Sequence, residues 1–298
     1  MYLLGVSKTS VCRIIKKVSH HIALLRRLYI KFPETESERA KVVQDFYNFA
    51  RFPRVIAAMD CSHVRIQSPG MCAANGELFR NRKGYFSINV QTLCDPSLKI
   101  MDIVARWPGA SHDSTIFNNS QIRARFELGE FGNNVIVADG GYQCRTYVMT
   151  PLRQCNSDAE ALYNESQIRT RNCVERSYGV WKRRFPILAT GLRLKLQTIQ
   201  SIIVATAILH NVCCMNKELI LPPLDDNMEA QINLSCFPFI NFISRRFFSI
   251  CSSTSWIFFS ASNCHLSADI IFLGICRALL LLVPITNLSG NLYKLFSY

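Results

Sequence analysis

The order of apolar and polar residues predicts helices in the first part of the chain and mostly strands from Val55 onward. Residues 5–25 place apolar side chains at helical spacing, and residues 34–51 indicate a second helix, whose acidic first turn suits the helix dipole. Apolar and alternating runs predict four strands, at residues 55–60, 85–93, 99–107 and 135–139. Further helices are predicted from residue 111, around Glu175 and over residues 196–214, and the last is apolar enough to belong to the core.

Two of the predicted strands end in an aspartate. Val135–Asp139 is followed by two glycines, which turn the chain and keep the space beside the carboxylate open. Val55–Asp60 has the same form. A carboxylate at the end of a buried strand is costly unless it is paired or binds something. Glu175, separated from Asp139 by 35 residues, lies in a helical stretch. Together the three acids predict one oxygen-rich pocket that suits Mg²⁺ or Mn²⁺.

Carboxylates that surround divalent ions serve phosphodiester cleavage. Two such ions a few ångströms apart activate the attacking water and stabilise the leaving oxygen. Asp113, beside His112 at the start of a predicted helix, is a fourth candidate ligand, although Ser111 or Asp113 could equally be the helix cap. Glu175 could instead form an ion pair with Arg171 or Arg176 on a solvated helix face. These alternatives remain open at the level of the residues.

Three histidines are candidate metal ligands, but none has a histidine partner one helical turn away. They are His63, His112 and His210. A helical pair of histidines at that spacing is what a zinc site on one helix would require. The pattern therefore favours His210 as a hydrogen-bonded helix residue within the core.

The net charge of +13 and the sequence pI of about 9.3 favour a polyanionic partner, either nucleic acid or an acidic membrane surface, although ordinary basic proteins share this composition. The run Lys182, Arg183 and Arg184 either faces phosphates or forms a solvated basic helix face. After Gly5, the residues Ser7, Lys8, Thr9 and Arg13 begin a helix similar to the second half of a helix-turn-helix, where the helix start contacts DNA. A plain amphipathic surface helix explains them equally well.

The cysteines and the last eighty residues add two expectations. Thirteen cysteines without paired C-x-x-C motifs indicate reduced thiols in the cytosol or nucleus, and no signal peptide is expected at the N-terminus. Beyond residue 218 the chain is apolar, poor in charges and without clean periodicity. This tail is expected to be either disordered or translated non-coding sequence, and a membrane anchor is the minority interpretation.

Several long motifs follow one another along the chain. They are Phe52–His63, Asn81–Gln91, Trp107–Ser114, Ala138–Tyr142, Tyr163–Asn164, Thr170–Arg171, Val174–Arg176 and Leu209–Asn211. In this order they resemble the PIF/Harbinger transposase family, including its branch of transposase-derived nucleases, and the resemblance covers about residues 5–217.

The resemblance implies an α/β, RNase H-like fold, in which helices flank a mixed sheet, and a DDE site for Mg²⁺ or Mn²⁺. Its catalytic acids fall on Asp60, Asp139 and Glu175, and Asp113 matches a His-Asp-Ser motif with an auxiliary role. It also implies DNA as partner, a Myb-like protein that helps DNA binding and nuclear entry, a nuclear or cytoplasmic location, and homo-oligomers as an option.

The expected domains are a partial helix-turn-helix at residues 1–30, a helical linker at 31–54, a nuclease domain at 55–217 and the atypical tail at 218–298. Ala58, Ser62 and Gln143 depart mildly from the family pattern, whereas the missing N-terminal helices and the tail suggest a truncated or decaying copy. We therefore expect an intact metal site but impaired sequence-specific DNA binding.

Three functions remain. The first is a metal-dependent DNA endonuclease, and the second is a catalytically inactive, domesticated or decaying DNA-binding protein. The third, a membrane-attached protein, rests on the tail alone. Retention of all three acids favours the nuclease, because carboxylates that face DNA phosphates weaken binding when no cation lies between them.

Overall fold

The computed structural model describes residues 8–70 and 76–216, and it divides the chain into two compact units. One unit comprises residues 16–218 and contains every strand described below. Of the other, residues 1–15 and 219–298, the structure describes only the first turns of a helix. The predicted tail and Ser7 therefore lie outside the described residues.

A five-stranded mixed sheet forms the centre of the larger unit. Its strands are β1 (Val55–Arg65), β2 (Ser87–Cys94), β3 (Ile100–Pro108), β4 (Val135–Val137) and β5 (Val148–Met149). Their order across the sheet is β3-β2-β1-β4-β5. β1, β2 and β3 are antiparallel, whereas β4 pairs parallel to both β1 and β5. The mixed sheet expected from the resemblance is thus confirmed, and the strands predicted at residues 85–93 and 99–107 pair with each other as β2 and β3.

The described part of the chain contains eight α-helices. They are α1 (Lys8–Leu24), α2 (Arg26–Tyr29), α3 (Glu36–Ala50), α4 (Asp113–Asn118), α5 (Gln121–Glu127), α6 (Asp158–Arg184), α7 (Ile187–Thr190) and α8 (Leu196–Met215). The acidic first turn predicted for α3 is present, and it is reinforced by a capping box between Thr35 and Glu38.

A cluster of buried apolar residues packs on one face of the sheet. Its aromatic centre is Phe32, Phe126 and Phe131, whose rings lie 4.4 to 6.3 Å apart. Alternate residues of β1 and β4 contribute to the same cluster, which includes Ala57, Met59 and Ala138. Because side chains alternate between faces along a strand, the residues next to these, Asp60 and Asp139, point to the opposite face. That face is covered by α6.

Helix α8 is a core helix, as its composition predicted. It is long and apolar enough to cross a membrane, and is the only helix of that kind among the described residues, but 72% of the relevant window is buried inside the protein. Asn211 fastens α8 to the sheet, because its side chain accepts from Ile100 N at 2.8 Å and donates to the carbonyls of Ile100 and Tyr29. His210 bonds to Leu98 O through Nε2 at 2.8 Å. The prediction of His210 as a satisfied helix residue is confirmed.

Several element boundaries differ from the sequence-based expectation. β1 does not stop at Asp60 but continues to Arg65, since β2 pairs with it along residues 58–65. Neither Ser111 nor Asp113 caps α4: the cap position is His112, which makes no side-chain cap bond. The short β5 and α5 were not predicted. The helix expected at residues 5–25 is present as α1, whereas the short α2 that begins at Arg26 was not predicted.

Candidate active site

Two of the predicted acids lie at equivalent positions of neighbouring parallel strands. Ala58 of β1 is level with Val137 of β4, and Asp60 and Asp139 each follow two residues later. β4 ends at Val137, so its pairing with β1 also ends there and the two carboxylates lie just past the paired region. Both are partly exposed. Where β4 ends, the two acids therefore face the same side of the sheet.

Asp139 is held by the turn that follows it. The backbone N–H of Gly141 donates to Asp139 Oδ1 at 3.0 Å, and Tyr142 N donates to the Asp139 carbonyl. A Cβ atom at position 141 would lie 3.2 Å from Asp139 Oδ1, which is tighter than ordinary van der Waals contact. The glycine thus allows the chain to turn closely around the carboxylate.

Helix α6 contributes four side chains that face β1. Arg171, Glu175, Tyr178 and Lys182 are spaced four, three and four residues apart, so they form a single line along the helix. Tyr178 Oη donates to the carbonyl of Asp60 at 2.6 Å and accepts from Thr92 Oγ1 at 2.9 Å. Lys182 Nζ donates to Ser62 Oγ at 2.7 Å and to the carbonyl of His63 at 3.0 Å. These bonds fix α6 along β1 and keep Glu175 near Asp60.

Arg171 joins two of the acids. Its Nη1 atom is 2.6 Å from Glu175 Oε1 and 3.8 Å from Asp60 Oδ2. The Arg171 and Asp60 side chains are 19% and 17% exposed, whereas Glu175 is 47% exposed. The ion pair with Arg171, weighed as the alternative role of Glu175, is therefore present, but it includes Asp60 as well. Two carboxylates thus converge on a single cationic nitrogen.

The environment of Asp60 disfavours its charged form. Burial, together with the nearby carboxylates of Asp139 and Asp113, raises the pKa of Asp60 to about 6. The backbone N–H of Cys61, which donates to Asp60 Oδ1 at 2.8 Å, and the guanidinium of Arg171 partly offset this increase in pKa. An additional cation near Asp60 would lower the pKa of its carboxyl, because it would stabilise the charged form.

Asp113 approaches from the other face of the sheet. Its Oδ1 accepts from Asn89 Nδ2 at 2.8 Å. Asn89 is paired in register with His63, and Thr92 is paired with Asp60. Positions three apart on a strand face opposite sides, so Asn89 and the Asp60 side chain lie on different faces. The structure does not place Asp113 in contact with the other three acids.

The donor atoms suit a hard divalent cation, although the described residues contain no group of three or more His, Cys, Asp or Glu side chains close enough to bind one. Carboxylate oxygens are the ligands that Mg²⁺ and Mn²⁺ prefer. Asp60 and Glu175 are already directed at one positive centre, the Nη1 atom of Arg171. The residues present thus fit such an ion, provided that Arg171 moves from between the two carboxylates.

Comparison with known families decides the class of protein. Residues 59–211, just over half of the chain, match the family model described as DDE superfamily endonuclease. The chain belongs to this family. The matched segment of this DDE superfamily endonuclease begins one residue before Asp60 and ends at Asn211, so it contains all four predicted acids.

Sequence similarity to curated relatives confirms the resemblance drawn from the motifs. The human protein named "Putative nuclease HARBI1" is 29% identical over 212 residues, which cover 70% of this chain and 60% of that protein. The Xenopus laevis protein of the same name is 26% identical over 213 residues, with the same coverage. "Protein ALP1-like" from Arabidopsis thaliana is 22% identical over 208 residues, or 61% of this chain and 51% of that protein.

The chain therefore spans about 60% of the length of the first of these relatives. No solved structure matches this DDE superfamily endonuclease. The family and the relatives support nuclease function at the level of reaction class.

The basic residues predicted to contact DNA have different environments. Lys182 is half-buried beside the acids, and Arg183 is exposed on the adjacent side of α6. Arg184 faces the protein instead, since its Nη1 donates to His210 Nδ1 at 3.2 Å and lies 3.5 Å from Cys214 Sγ. Thr9 and Arg13 are exposed on α1. The second half of a helix-turn-helix is not confirmed, and the side chains of Ser7 and Lys8 lie outside the described residues.

Two site residues were not recognised from the sequence. Tyr178 was not singled out, and Arg171 was considered only as a surface ion-pair partner of Glu175. Their spacing from Glu175, three residues after and four residues before it, was the available signal. This spacing did not reveal that Arg171 and Tyr178 also contact Asp60, because those contacts depend on how α6 packs on β1.

Proposed function

We propose that the chain is a divalent-metal-dependent DNA endonuclease with Asp60, Asp139 and Glu175 as its metal-binding acids. The single observation that carries this proposal is the convergence of Asp60 and Glu175 on one cationic nitrogen, at the strand edge where Asp139 also lies. The family match supports the reaction class. An RNase H-like fold, expected from the resemblance, is consistent with the mixed sheet and the position of the acids.

Divalent ions held by such acids supply a Lewis acid that activates water and stabilises the leaving oxygen of a phosphodiester; the resemblance implies two ions. The residues of the chain have their own tasks. Asp60 and Glu175 provide hard oxygen ligands, and the Gly141 N–H orients the carboxylate of Asp139. Tyr178 fixes the backbone of β1 beside the acids through the Asp60 carbonyl.

Arg171 acts as the counter-charge of the acids while no other cation is present. Its contacts of 2.6 and 3.8 Å neutralise part of the charge of Glu175 and Asp60. Withdrawal of this guanidinium from between the two acids leaves both carboxylates to a bound ion. The same ion pair also supports the second candidate function, a DNA-binding protein without catalysis, because Arg171 already satisfies two of the three acids.

Cleavage of supercoiled plasmid DNA with Mg²⁺ or Mn²⁺ tests the proposal. We expect nicking by the full chain and a loss of about three orders of magnitude in Asp139→Asn, since Asn keeps the shape but removes charge that stabilises the transition state by several kcal/mol. The matched control is Asp158→Asn, an exposed acid in the first turn of the same helix that carries Glu175. The control should keep full activity.

Two results would contradict the nuclease. One is the absence of nicking with either metal by folded protein that still binds DNA, which would favour the binding-only function. The other is equal nicking by Asp139→Asn and Asp158→Asn, which would place the active site elsewhere.

A further inference from the structure

The strand pairing does not fix the separation of the carboxylates of Asp60 and Asp139. The register between β1 and β4 ends at Ala58 and Val137, two residues before the acids. β1 then continues along β2, whereas the chain after β4 turns away at Gly140 and Gly141. The two carboxylates therefore lie where the segments that carry them are no longer paired with each other.

Helix α6 holds these segments at different points. Arg171 contacts Asp60, but among the described residues no ion pair reaches Asp139. Gln167 Nε2 donates to the carbonyl of Ala138 at 2.7 Å, which fastens the end of β4 to α6. That bond precedes the turn in which Asp139 lies. The contacts of α6 thus leave the turn after Asp139 to be held from elsewhere.

A side-chain hydrogen bond joins the two segments just past the end of their pairing. Cys61 Sγ and Tyr142 Oη are 3.2 Å apart. Cys61 directly follows Asp60, and Tyr142 follows Asp139 by three residues. The bond therefore links the segment of the first acid to the turn of the second.

This bond lies on the face of the sheet opposite the acids. Tyr142 belongs to the apolar cluster that contains Met59 and Ala138, and Cys61 packs against the same cluster. Met59 and Cys61 flank Asp60 in β1, so their side chains point away from the Asp60 carboxylate. The bond between Cys61 and Tyr142 thus supports the acids from behind and leaves the space in front of them open.

Both partners of this bond also hold an acid through their own backbone. Cys61 N donates to Asp60 Oδ1 at 2.8 Å, and Tyr142 N donates to the Asp139 carbonyl at 3.2 Å. A shift of either residue would therefore change the position of the acid beside it. The hydrogen bond between the two side chains couples these two backbone contacts.

The ring of Tyr142 has a fixed place. It is 4% exposed and lies edge-on to Phe117 of α4, with 6.2 Å between the ring centres. Edge-on aromatic pairs of this kind are favourable, and a buried tyrosine hydroxyl usually has a hydrogen-bond partner. The hydroxyl of Tyr142 is therefore presented to Cys61 by a packed ring.

We propose that Cys61 and Tyr142 are positioning residues that set the separation of the Asp60 and Asp139 carboxylates for a bound divalent cation. Neither side chain contacts the cation, since both lie on the opposite face of the sheet. Groups that orient metal ligands from behind typically contribute about 10- to 100-fold to metal affinity. The inference rests on the proposed function, because it takes the two acids as metal ligands.

The test is titration of the full chain with Mn²⁺, in which electron paramagnetic resonance reports both the free and the bound ion. The parent is compared with Tyr142→Phe, Cys61→Ala and the double variant. Tyr142→Phe removes the hydroxyl and keeps the ring that packs on Phe117. Urea unfolding shows that each variant is folded before titration, and Cys61→Ala keeps the test decisive if Tyr142→Phe does not fold.

Tyr147→Phe is the matched control. Tyr147 is a half-buried tyrosine of the same loop, and its ring stacks on Phe126 with 5.2 Å between the ring centres. Its hydroxyl donates to Glu127 and does not reach Cys61. The control therefore loses one tyrosine hydroxyl and one hydrogen bond without changing the link between the acids.

We expect Tyr142→Phe and Cys61→Ala each to weaken Mn²⁺ binding about tenfold. The double variant should also lose about tenfold, because both changes remove the same bond and their effects are then not additive. The spectrum of bound Mn²⁺ should differ from that of the parent, since it depends on ligand geometry. Tyr147→Phe should match the parent in both affinity and spectrum.

Unchanged affinity in folded Tyr142→Phe or folded Cys61→Ala would overturn the positioning role while the nuclease proposal stands. A loss of about a hundredfold in the double variant would overturn it too, because the two residues would then act independently. So would an unchanged spectrum of the bound ion, or an equal loss in Tyr147→Phe. Failure of the folded parent to bind Mn²⁺ would instead contradict the proposed function, and the positioning role with it.

Discussion

At the scale of single residues, the acids that make the site suitable for a cation also destabilise the folded protein when no cation is bound. Asp60 is 17% exposed, lies near Asp139 and Asp113, and has a pKa raised to about 6. Arg171 relieves this only in part, from 3.8 Å. Residues that must be charged for function are often unfavourable for folding, and Asp60 is expected to show this conflict between activity and stability.

Asp60→Asn should therefore stabilise the folded chain at neutral pH while removing a proposed metal ligand. The folded carboxyl keeps its proton up to about pH 6, whereas the unfolded one loses it near 4, so the Asp60 carboxylate destabilises the protein increasingly as pH rises between these values. The gain at pH 7 should be about 3 kcal/mol, from about two pKa units at 1.36 kcal/mol each.

Urea unfolding at pH 7 and pH 4 measures this difference, with Asp45→Asn on the exposed side of α3 as the control. The gain should be present at pH 7, absent at pH 4 and absent in the control. A variant that is equally or less stable than the parent at pH 7 would show that the burial of Asp60 is less unfavourable than its raised pKa indicates.

At the scale of the elements, the sequence predicted what depends on local pattern and missed what depends on packing. Alternation and apolar runs located β1 to β4, and the helical pattern located α6 and α8. The two-residue strand β5 is too short to leave a pattern. β1 continues past Asp60 because β2 pairs with it there. Asp60 therefore lies just past the end of the pairing between β1 and β4, but not at the end of its own strand.

The same distinction applies to the site. Three acids could be named from their positions after apolar runs and from family motifs, but their convergence requires the parallel register of β1 and β4. The contact between Arg171 and Asp60 joins distant positions of the sequence, and no local pattern reports it.

The junction between α8 and β3 should make stability depend on pH. Burial lowers the pKa of His210 to about 4, and Arg184, which donates to Nδ1, contributes to the decrease, while the bond to Leu98 O opposes it. An unfolded histidine has a pKa of about 6.5. Between these values the unfolded chain binds a proton that the folded chain does not, so this histidine costs stability as pH falls from about 6.5 to 4.

His210→Gln removes this proton and should flatten the pH dependence of the unfolding free energy in that window, by up to about 3 kcal/mol across it. Urea unfolding of both proteins between pH 4 and 7 provides the comparison. His21→Gln, at an exposed position of α1, is the matched control. An identical pH profile for His210→Gln and the parent would mean that His210 binds its proton equally in the folded and unfolded chains.

At the scale of the whole molecule, the acids and the core all belong to one compact unit, residues 16–218. The family match at residues 59–211 lies entirely within it. The sheet and its surrounding helices thus form the part of the chain on which the proposed chemistry depends.

Residues 16–218 expressed alone should therefore fold and unfold in a single cooperative transition. Their apolar core, their strands and the Asn211 bonds to Tyr29 and Ile100 are all internal to this unit. Coincident unfolding curves from circular dichroism and tryptophan fluorescence would meet the expectation. A fragment without a cooperative transition would show that this unit needs residues outside 16–218.

The most direct test of the central claim is binding of Mn²⁺, followed by electron paramagnetic resonance, in the parent chain and in three variants. If Asp60, Asp139 and Glu175 form a cation site, the parent binds Mn²⁺, and Asp60→Asn and Asp139→Asn lose it because a hard ion needs the carboxylate charge. Asp113→Asn, which changes an acid on the opposite face of the sheet, keeps it. Failure of the folded parent to bind Mn²⁺ at millimolar concentration, or equal binding by all four proteins, would contradict the claim.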